Sequence, residues 1–172
     1  MKLLDRLFRP APDDHADARP LWLGIVGEAR QPRWYAELGV ADSTEGRFDM
    51  VTLILALVLL RLEREPGNET LAVRLTELFV DDMDAQLRQS GVGDLMVGKH
   101  MGKLMAGLGG RLGTLREALV EGDDASLGEM IVRNVRLLDG AGPDALAAAL
   151  RDLHARLADV PRDRLLAGTL AP

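Results

Sequence analysis

Residues 50–60 read MVTLILALVLL, the longest apolar run in the chain. A helix that spans a bilayer needs about 20 apolar residues, and this shorter run is closed at its two ends by Asp49 and Arg61. A segment that is apolar on every side is typical of a helix buried in the middle of a globular core. The run therefore predicts a fully apolar central helix over residues 44–65.

Helical signals continue on both sides of this segment. Ser43 or Thr44 can cap the first turn of the central helix, and Pro66-Gly67 can end it. Apolar residues then recur at helical spacing, and no stretch alternates at period two. This spacing predicts further helices, over residues 68–91, 94–120, 125–138 and 144–158. The predicted fold is all-α.

We expect one compact domain of about six helices over residues 21–160. Residues 1–20 are predicted to form an amphipathic turn and a linker, because RPAPDDHADARP holds three prolines and three aspartates in twelve residues. Residues 161–172 are assigned to a C-terminal tail.

The composition limits the possible functions. The 172 residues are 47% apolar and 28% charged, with a net charge of −6. Such an acidic chain lacks the cationic surplus that nucleic-acid binding requires. The lack of cysteine excludes disulfides, thiolate zinc sites and a cysteine nucleophile. The histidines are far apart and no nucleophile motif occurs, so we expect no enzymatic activity, no metal and no cofactor.

The first ten residues, MKLLDRLFRP, form a short amphipathic pattern. They do not resemble a signal peptide, because Asp5 and Arg6 interrupt the apolar run. One helical face is apolar, with Leu3, Leu4, Leu7 and Phe8, and it is flanked by Lys2, Arg6 and Arg9. Two interpretations stay open: weak contact with a membrane surface, or an end of the chain that packs or frays.

Residues 93–100, GDLMVGKH, match part of the phosphate-loop pattern G-x-x-x-x-G-K-[ST] at Gly93, Gly98 and Lys99. A working phosphate loop needs a preceding strand and a hydroxyl where this chain has His100, and Asp94 would repel phosphate. We interpret the match as accidental. Residues 91–94, GVGD, instead predict a tight corner between two helices, with Gly91, Gly93 and Gly98 as structural residues.

An acidic cluster, Asp81, Asp82 and Asp84, precedes this corner. The spacing does not fit a calcium loop, which would need a glycine and a glutamate where the chain has Leu87 and Gly93. Asp82 is predicted to project into the apolar stripe of its helix. A buried carboxylate needs a partner, for which the candidates are Arg47, Lys99 and Arg111, and the ion pair could serve either the fold or binding.

Several motifs in one order resemble the ubiquinol-cytochrome c chaperone family. They cover roughly residues 20–140. The matching positions are Trp34, Tyr35 and Leu38 to Val40; Gly46 to Met50; Leu78, Phe79 and Asp82 to Asp84; and Gly91 to Asp94 with Val97 to Lys99. The chain departs from the family pattern after Lys99, where it has His100, Gly102 and the Gly109-Gly110 pair.

The resemblance implies a non-catalytic assembly factor that helps newly made cytochrome b, or another subunit, into the bc1 complex. It also implies the ribosome or a small partner protein as further partners. The chain has no arginine-rich transit peptide, so we expect a bacterial cytoplasmic protein, with the periphery of the inner membrane as the alternative location. The alternatives are a helical adaptor for soluble proteins and a nucleotide-binding enzyme that uses residues 93–100.

A groove for an apolar client helix is predicted beside the GVGD corner. Methionine suits surfaces that must repack, and Met83, Met96, Met101 and Met105 are predicted to cluster there. A strip of small residues, Gly102, Ala106, Gly109 and Gly113, would allow close helix approach. The candidate client- or partner-binding residues are Trp34, Tyr35, Arg47, Asp49, Asp82, Met83, Asp84, Val92, Asp94, Met96, Lys99 and Met101.

Overall fold

The structure is a computed structural model that describes residues 15–89, 94–120 and 124–171. For Leu87, residues 94–100, Val120 and Asp124, only the backbone is described. No described residue belongs to a β-strand, and Val40 and Leu137 form an isolated bridge. The predicted all-α fold is confirmed.

The helices are numbered in chain order over the described residues. Those of eleven or more residues are α1 (Arg19–Ala29), α3 (Thr44–Glu63), α4 (Glu69–Gln89), α5 (Asp94–Val120), α6 (Asp124–Asn134) and α7 (Asp144–Asp159). Two helices of a single turn complete the set, α2 (Pro32–Ala36) and α8 (Arg162–Leu166). None of the helices in the described ranges is both long and apolar enough to cross a membrane.

Helix α3 is the centre of the fold, as the apolar run predicts. The Ser43 hydroxyl caps it by accepting a hydrogen bond from the Gly46 amide at 3.1 Å. Every side chain from Met50 to Leu62 is buried, against helices α1, α4, α5 and α7. Full burial of one large aliphatic side chain contributes about 1.5–3 kcal/mol, so this helix contributes much of the hydrophobic stabilisation.

Arg61 is the charged side chain of the buried stretch, and its guanidinium donates hydrogen bonds to two backbone carbonyls. Its Nε donates to the Leu157 carbonyl at 3.0 Å, and its Nη2 donates to the Val160 carbonyl at 3.3 Å. Those carbonyls belong to the C-terminal end of α7, where helical acceptors lack intrahelical donors and a cation is favoured. Arg61 therefore fastens the central helix to the end of α7.

Helix α6 ends at Asn134, four residues before the predicted end at residue 138. The chain beyond it pairs with residues 39–41 instead. The Ala41 amide donates to the Arg136 carbonyl, and the Leu138 amide donates to the Gly39 carbonyl, both at 2.8 Å. Backbone pairing over such a sequence separation overrides the local helical pattern of residues 135–138.

The chain packs on the core at both ends of the described region. Ala18 is buried, and Pro20 lies in the first turn of α1, where proline is favoured because no intrahelical donor is needed. In the segment assigned to a tail, Leu165 and Leu170 are buried. Gly168, at φ +90°, brings this segment against the backbone of α1.

The close approach at Gly24 leads to a test. A Cβ atom added at Gly24 would lie 2.3 Å from the Gly168 carbonyl oxygen, whereas one added at Gly27 of the same helix would meet nothing within 4 Å. We expect Gly24→Ala to destabilise the protein by about 1–3 kcal/mol through overpacking. Gly27→Ala is expected to stabilise it by up to about 1 kcal/mol through helix propensity. Urea unfolding of both variants measures the difference, and a stabilised Gly24→Ala protein would contradict the described contact.

Candidate functional site: an apolar groove on three helices

An open groove of about 520 Å³ lies where α3, α4 and α5 meet. Leu59 of α3, at the edge of the core, forms its base, and Met105 and Leu112 of α5 form one wall. The other wall belongs to α4. Most of the lining side chains are apolar, and together they are Leu59, Glu63, Ala72, Val73, Thr76, Glu77, Val80, Asp81, Met105 and Leu112.

The groove exists because α4 carries two adjacent apolar stripes. The first packs into the core and consists of Leu71, Leu75, Leu78 and Phe79. The second, one residue further around the helix, consists of Ala72, Val73, Thr76 and Val80, and it faces the groove. Val73 is 56% exposed and Met105 is 38% exposed. The second stripe is therefore partly covered, because Ala72 and Val80 are half-buried against the core, whereas the described part of the chain leaves Val73 open to solvent.

The sequence prediction missed this groove wall on α4. Packing one face of a surface helix needs a single apolar stripe at positions i, i+3, i+4 and i+7. Residues 71–80 carry a wider apolar band than that, so the sequence did contain a signal for a second apolar surface on this helix. Which part of the band is buried is decided by where α5 lies, and the pattern of α4 alone does not specify it.

The rim of the groove is acidic. Among the described residues that line it, Glu63, Glu77 and Asp81 carry carboxylates and none carries a positive charge. Beyond the lining, Arg116 donates to the Glu63 carboxylate at 2.8 Å, and His15 Nε2 lies 3.0 Å from Glu77 Oε2. An apolar floor with an acidic rim suits a helix that has an apolar face and basic flanks.

Three of the predicted binding residues line a second pair of adjoining concavities. Tyr35 and Arg47 line the larger, of about 480 Å³, and Arg47 and Met83 line the smaller, of about 160 Å³. Tyr35 donates its hydroxyl to the Ala29 carbonyl at 2.6 Å, and burial raises the pKa of this phenol. Arg47 pairs with Asp42 at 2.7 Å on the surface.

Trp34 faces the interior. It is fully buried, its indole N–H donates to the Glu28 carbonyl at 2.8 Å, and the Arg33 guanidinium lies 4.4 Å from the centre of its ring. These contacts fix the turn between α1 and α2.

Asp49 joins three parts of the fold. Its Oδ1 accepts from Arg111 Nη2 at 2.6 Å, and its Oδ2 accepts from the Arg136 amide at 3.0 Å. Arg111 also donates to the Asn134 carbonyl at 2.6 Å. Burial raises the pKa of Asp49 although Arg111 lowers it, and burial also lowers the pKa of Arg111. Both charges are thus held in a poorly solvated position that links α3, α5 and the end of α6.

The predicted environment of Asp82 is wrong. The residue is exposed rather than directed into the apolar stripe, and its Oδ2 accepts a hydrogen bond of 2.7 Å from the Trp22 indole N–H. Of the proposed cationic partners, Arg47 pairs with Asp42 and Arg111 pairs with Asp49. The tryptophan, whose ring packs edge-on against Phe79, supplies a neutral donor at the helix surface.

The other predicted residues divide between surface, core and backbone-only positions. Asp84 pairs with Arg88 one turn along α4 at 2.7 Å, and Met101 is half-buried against the core. Asp94, Met96, Gly98 and Lys99 lie in the first turns of α5, where only the backbone is described. Gly91, Val92 and Gly93 lie outside the described residues, as do Leu3, Leu4, Leu7 and Phe8. The client site at the GVGD corner stays a prediction.

Comparison with known proteins identifies the family. The family model for the ubiquinol-cytochrome C chaperone matches residues 36–171. The crystal structure of the Cbp3 homolog from Brucella abortus superimposes with a TM-score of 0.78, at 32% sequence identity, over 98% of this chain and 96% of that one. No curated protein sequence gives a significant match. The chain belongs to the ubiquinol-cytochrome c chaperone family.

Proposed function

We propose that this protein is a non-catalytic assembly chaperone that binds cytochrome b during biogenesis of the bc1 complex. The observation that carries the proposal is the open apolar groove of α3, α4 and α5 in a member of this chaperone family. The groove would receive one apolar helix of the client. Another bc1 subunit, the ribosome and a small partner protein are further candidate partners, and the site of action would be the bacterial cytoplasm at the periphery of the inner membrane.

The chemistry of the groove supports this choice of client. A helix that waits to enter a membrane exposes apolar side chains, and burying part of them in a groove removes them from water. The cytoplasmic flanks of membrane helices are rich in Lys and Arg. The carboxylates of Glu63, Glu77 and Asp81 on the rim would attract such flanks, in competition with Arg116 at Glu63 and with His15 at Glu77. Rim charges of this kind mainly speed encounter and set orientation.

The groove also suits release. It covers one side of a bound helix, and Met105 on its lip is unbranched and can adopt several rotamers as clients change. On α5 beside it, Gly102 and Gly109 are exposed, and a Cβ atom at either would meet nothing within 4 Å. The described fold therefore does not need these two glycines for packing. In the proposal they let a client helix approach the backbone of α5.

In the proposal, the client site extends towards the GVGD corner. Helices α4 and α5 are consecutive and pack against each other, and Asp81 and Met105 line the end of the groove nearest the C-terminal end of α4 and the N-terminal end of α5. Lys99 and Met96 belong to the turns of α5 nearest this corner. We propose that they border the client at the end of the groove.

Complementation tests the function. In a strain that lacks the gene, the intact chain is expected to restore bc1 complex and its b-type haem absorbance. Val73→Asp, which puts a carboxylate on the apolar lip, is expected to weaken client binding about tenfold or more and to restore much less. The matched control is Val132→Asp, because Val132 is also an exposed helical valine, at 62%, and lies away from the groove on α6.

The outcome separates the proposal from the adaptor alternative. Normal b-type haem in the deletion strain would exclude an assembly role and favour an adaptor for soluble proteins. Full complementation by a folded Val73→Asp protein would keep the assembly role and remove the groove from it.

A further inference from the structure

The described chain begins at the lip of the groove. His15 Nε2 lies 3.0 Å from Glu77 Oε2, and Glu77 lines the groove. Asp17 forms an ion pair with Arg74, which is the neighbour of Val73 on α4. These two contacts hold residues 15–17 along the outer edge of α4. Residues 1–14 therefore join the domain directly beside its open apolar surface.

The chemistry of residues 2–9 complements that surface. Leu3, Leu4, Leu7 and Phe8 give one apolar helical face, and Lys2, Arg6 and Arg9 supply three positive charges around it. The described lining of the groove has an apolar floor and three carboxylates, of which Glu63 pairs with Arg116 and Glu77 contacts His15, both outside the lining. In a docked arrangement, the apolar face of residues 2–9 would contact the apolar floor of the groove, and their positive side chains would lie near its negatively charged rim.

The dimensions agree as well. Residues 2–9 as a helix would be about 12 Å long at 1.5 Å per residue. The groove-lining stretch of α4, from residue 72 to residue 81, has a similar length by the same rise. Residues 10–14 can span up to about 17 Å when extended. The linker is thus long enough to let the segment fold back along α4 from His15.

We propose that residues 2–9 dock as a short amphipathic helix in the α3–α4–α5 groove of the same chain, and that they cover Val73 and Met105 while no client is bound. A segment tethered by so short a linker has an effective concentration of about millimolar. Even a weak contact is then well populated, yet a longer client helix with more apolar surface displaces it. The docking itself does not depend on the client, whereas the displacement rests on the proposed function.

Paired cysteines test the docking directly, because the natural chain contains no cysteine. The test protein is the full chain with Leu7→Cys and Val73→Cys, and the control is the same protein with Leu3→Glu and Leu4→Glu added. The two proteins share the cysteine pair and the tether, and they differ in the apolar face of residues 2–9. Under mild oxidation we expect the test protein to form the intramolecular disulfide at least about tenfold faster than the control, because docking raises the local thiol concentration above the level set by the tether alone.

Three results would overturn the proposal. These are equal rates for the two proteins, no disulfide in either, and a disulfide-linked dimer as the main product, which would put a second copy in the groove. The assay contains no cytochrome b, so its failure would leave the client proposal standing.

A competition experiment gives a second, independent readout. A fluorescent peptide of residues 1–14 is titrated into the wild-type chain and into the full chain with Leu4→Glu and Leu7→Glu. We expect the variant to bind the peptide at least about tenfold more tightly, since its own segment no longer competes. Equal affinities, or no saturable binding to either chain, would contradict docking in cis.

Discussion

Replacement of Leu57 by aspartate is expected to abolish the cooperative fold. Leu57 lies in the middle of α3 and is 0% exposed. The change removes a buried leucine side chain, which costs about 2–5 kcal/mol, and buries a carboxylate without a partner, which costs several kcal/mol more. A domain of this size has a free energy of unfolding of about 5–15 kcal/mol. Circular dichroism should show reduced helicity and no cooperative melting transition.

The control for this variant is Leu23→Asp. Leu23 is a leucine on α1 that is 63% exposed, so the same chemical change there leaves the new carboxylate in water. We expect its melting curve to stay close to that of the wild type. A Leu57→Asp protein with the same melting curve would show that α3 is not the buried centre of the fold.

Loss of one partner of the Asp49–Arg111 pair is expected to have the second-largest effect. Both side chains are mostly buried, and each also bonds to a backbone group near the end of α6. Asp49→Ala leaves Arg111 as a buried cation without its carboxylate and leaves the Arg136 amide without its acceptor. Such a break costs about 3 kcal/mol or more, measured as the change in the free energy of urea unfolding.

The double variant Asp49→Leu with Arg111→Met distinguishes the interaction energy of the Asp49–Arg111 pair from the cost of burying the two charges. The raised pKa of Asp49 and the lowered pKa of Arg111 both have burial as their largest cause. Removal of both charges should therefore cost clearly less than the sum of the two single changes, with a coupling energy of about 1–3 kcal/mol. Strict additivity would contradict a direct ion pair.

The pH dependence gives a further check on Asp49. Because the pKa of Asp49 is raised in the folded state, the native chain binds a proton there more tightly than the unfolded chain does. The resulting destabilisation is complete above the raised pKa and disappears below the ordinary pKa near 4. We therefore expect the stability of the wild type to rise relative to Asp49→Asn as the pH falls from 7 to 4. The opposite trend would indicate that Arg111 outweighs burial.

The sequence predicts the parts of the fold that local chemistry decides. The apolar run over residues 50–60, the Ser43 cap and the leucine and methionine spacing of residues 94–120 placed α3 and α5 correctly. Each signal lies within a few turns of the helix that it specifies. Contacts between residues far apart in sequence were missed, because no local pattern specifies them. The pairing of residues 39–41 with residues 136–138 ends α6 early, and it has no trace in the local pattern.

The candidate site shows the same difference between local signals and long-range contacts. The sequence predicted a buried Asp82 with a cationic partner, whereas the residue is exposed and its donor is Trp22, which lies sixty residues away in sequence. Likewise, the second apolar stripe on α4 can be recognised in the sequence, but the position of α5 decides whether that stripe is buried or exposed. Sequence spacing therefore specifies neither which helix faces are covered nor which partners a polar side chain meets, because the tertiary arrangement decides both.

Site-specific photo-crosslinking tests the central claim most directly. A photo-crosslinking amino acid is placed at position 73 on the groove lip or, as the control, at position 132 on α6, and cytochrome b is synthesised in the same cells. Groove binding predicts a crosslink to cytochrome b at position 73 that is at least about tenfold stronger than at position 132, because such crosslinkers capture groups in direct contact and a helix in the groove buries the lip. Equal crosslinking at the two positions, or crosslinking at position 132 alone, would contradict the claim that this groove holds the client.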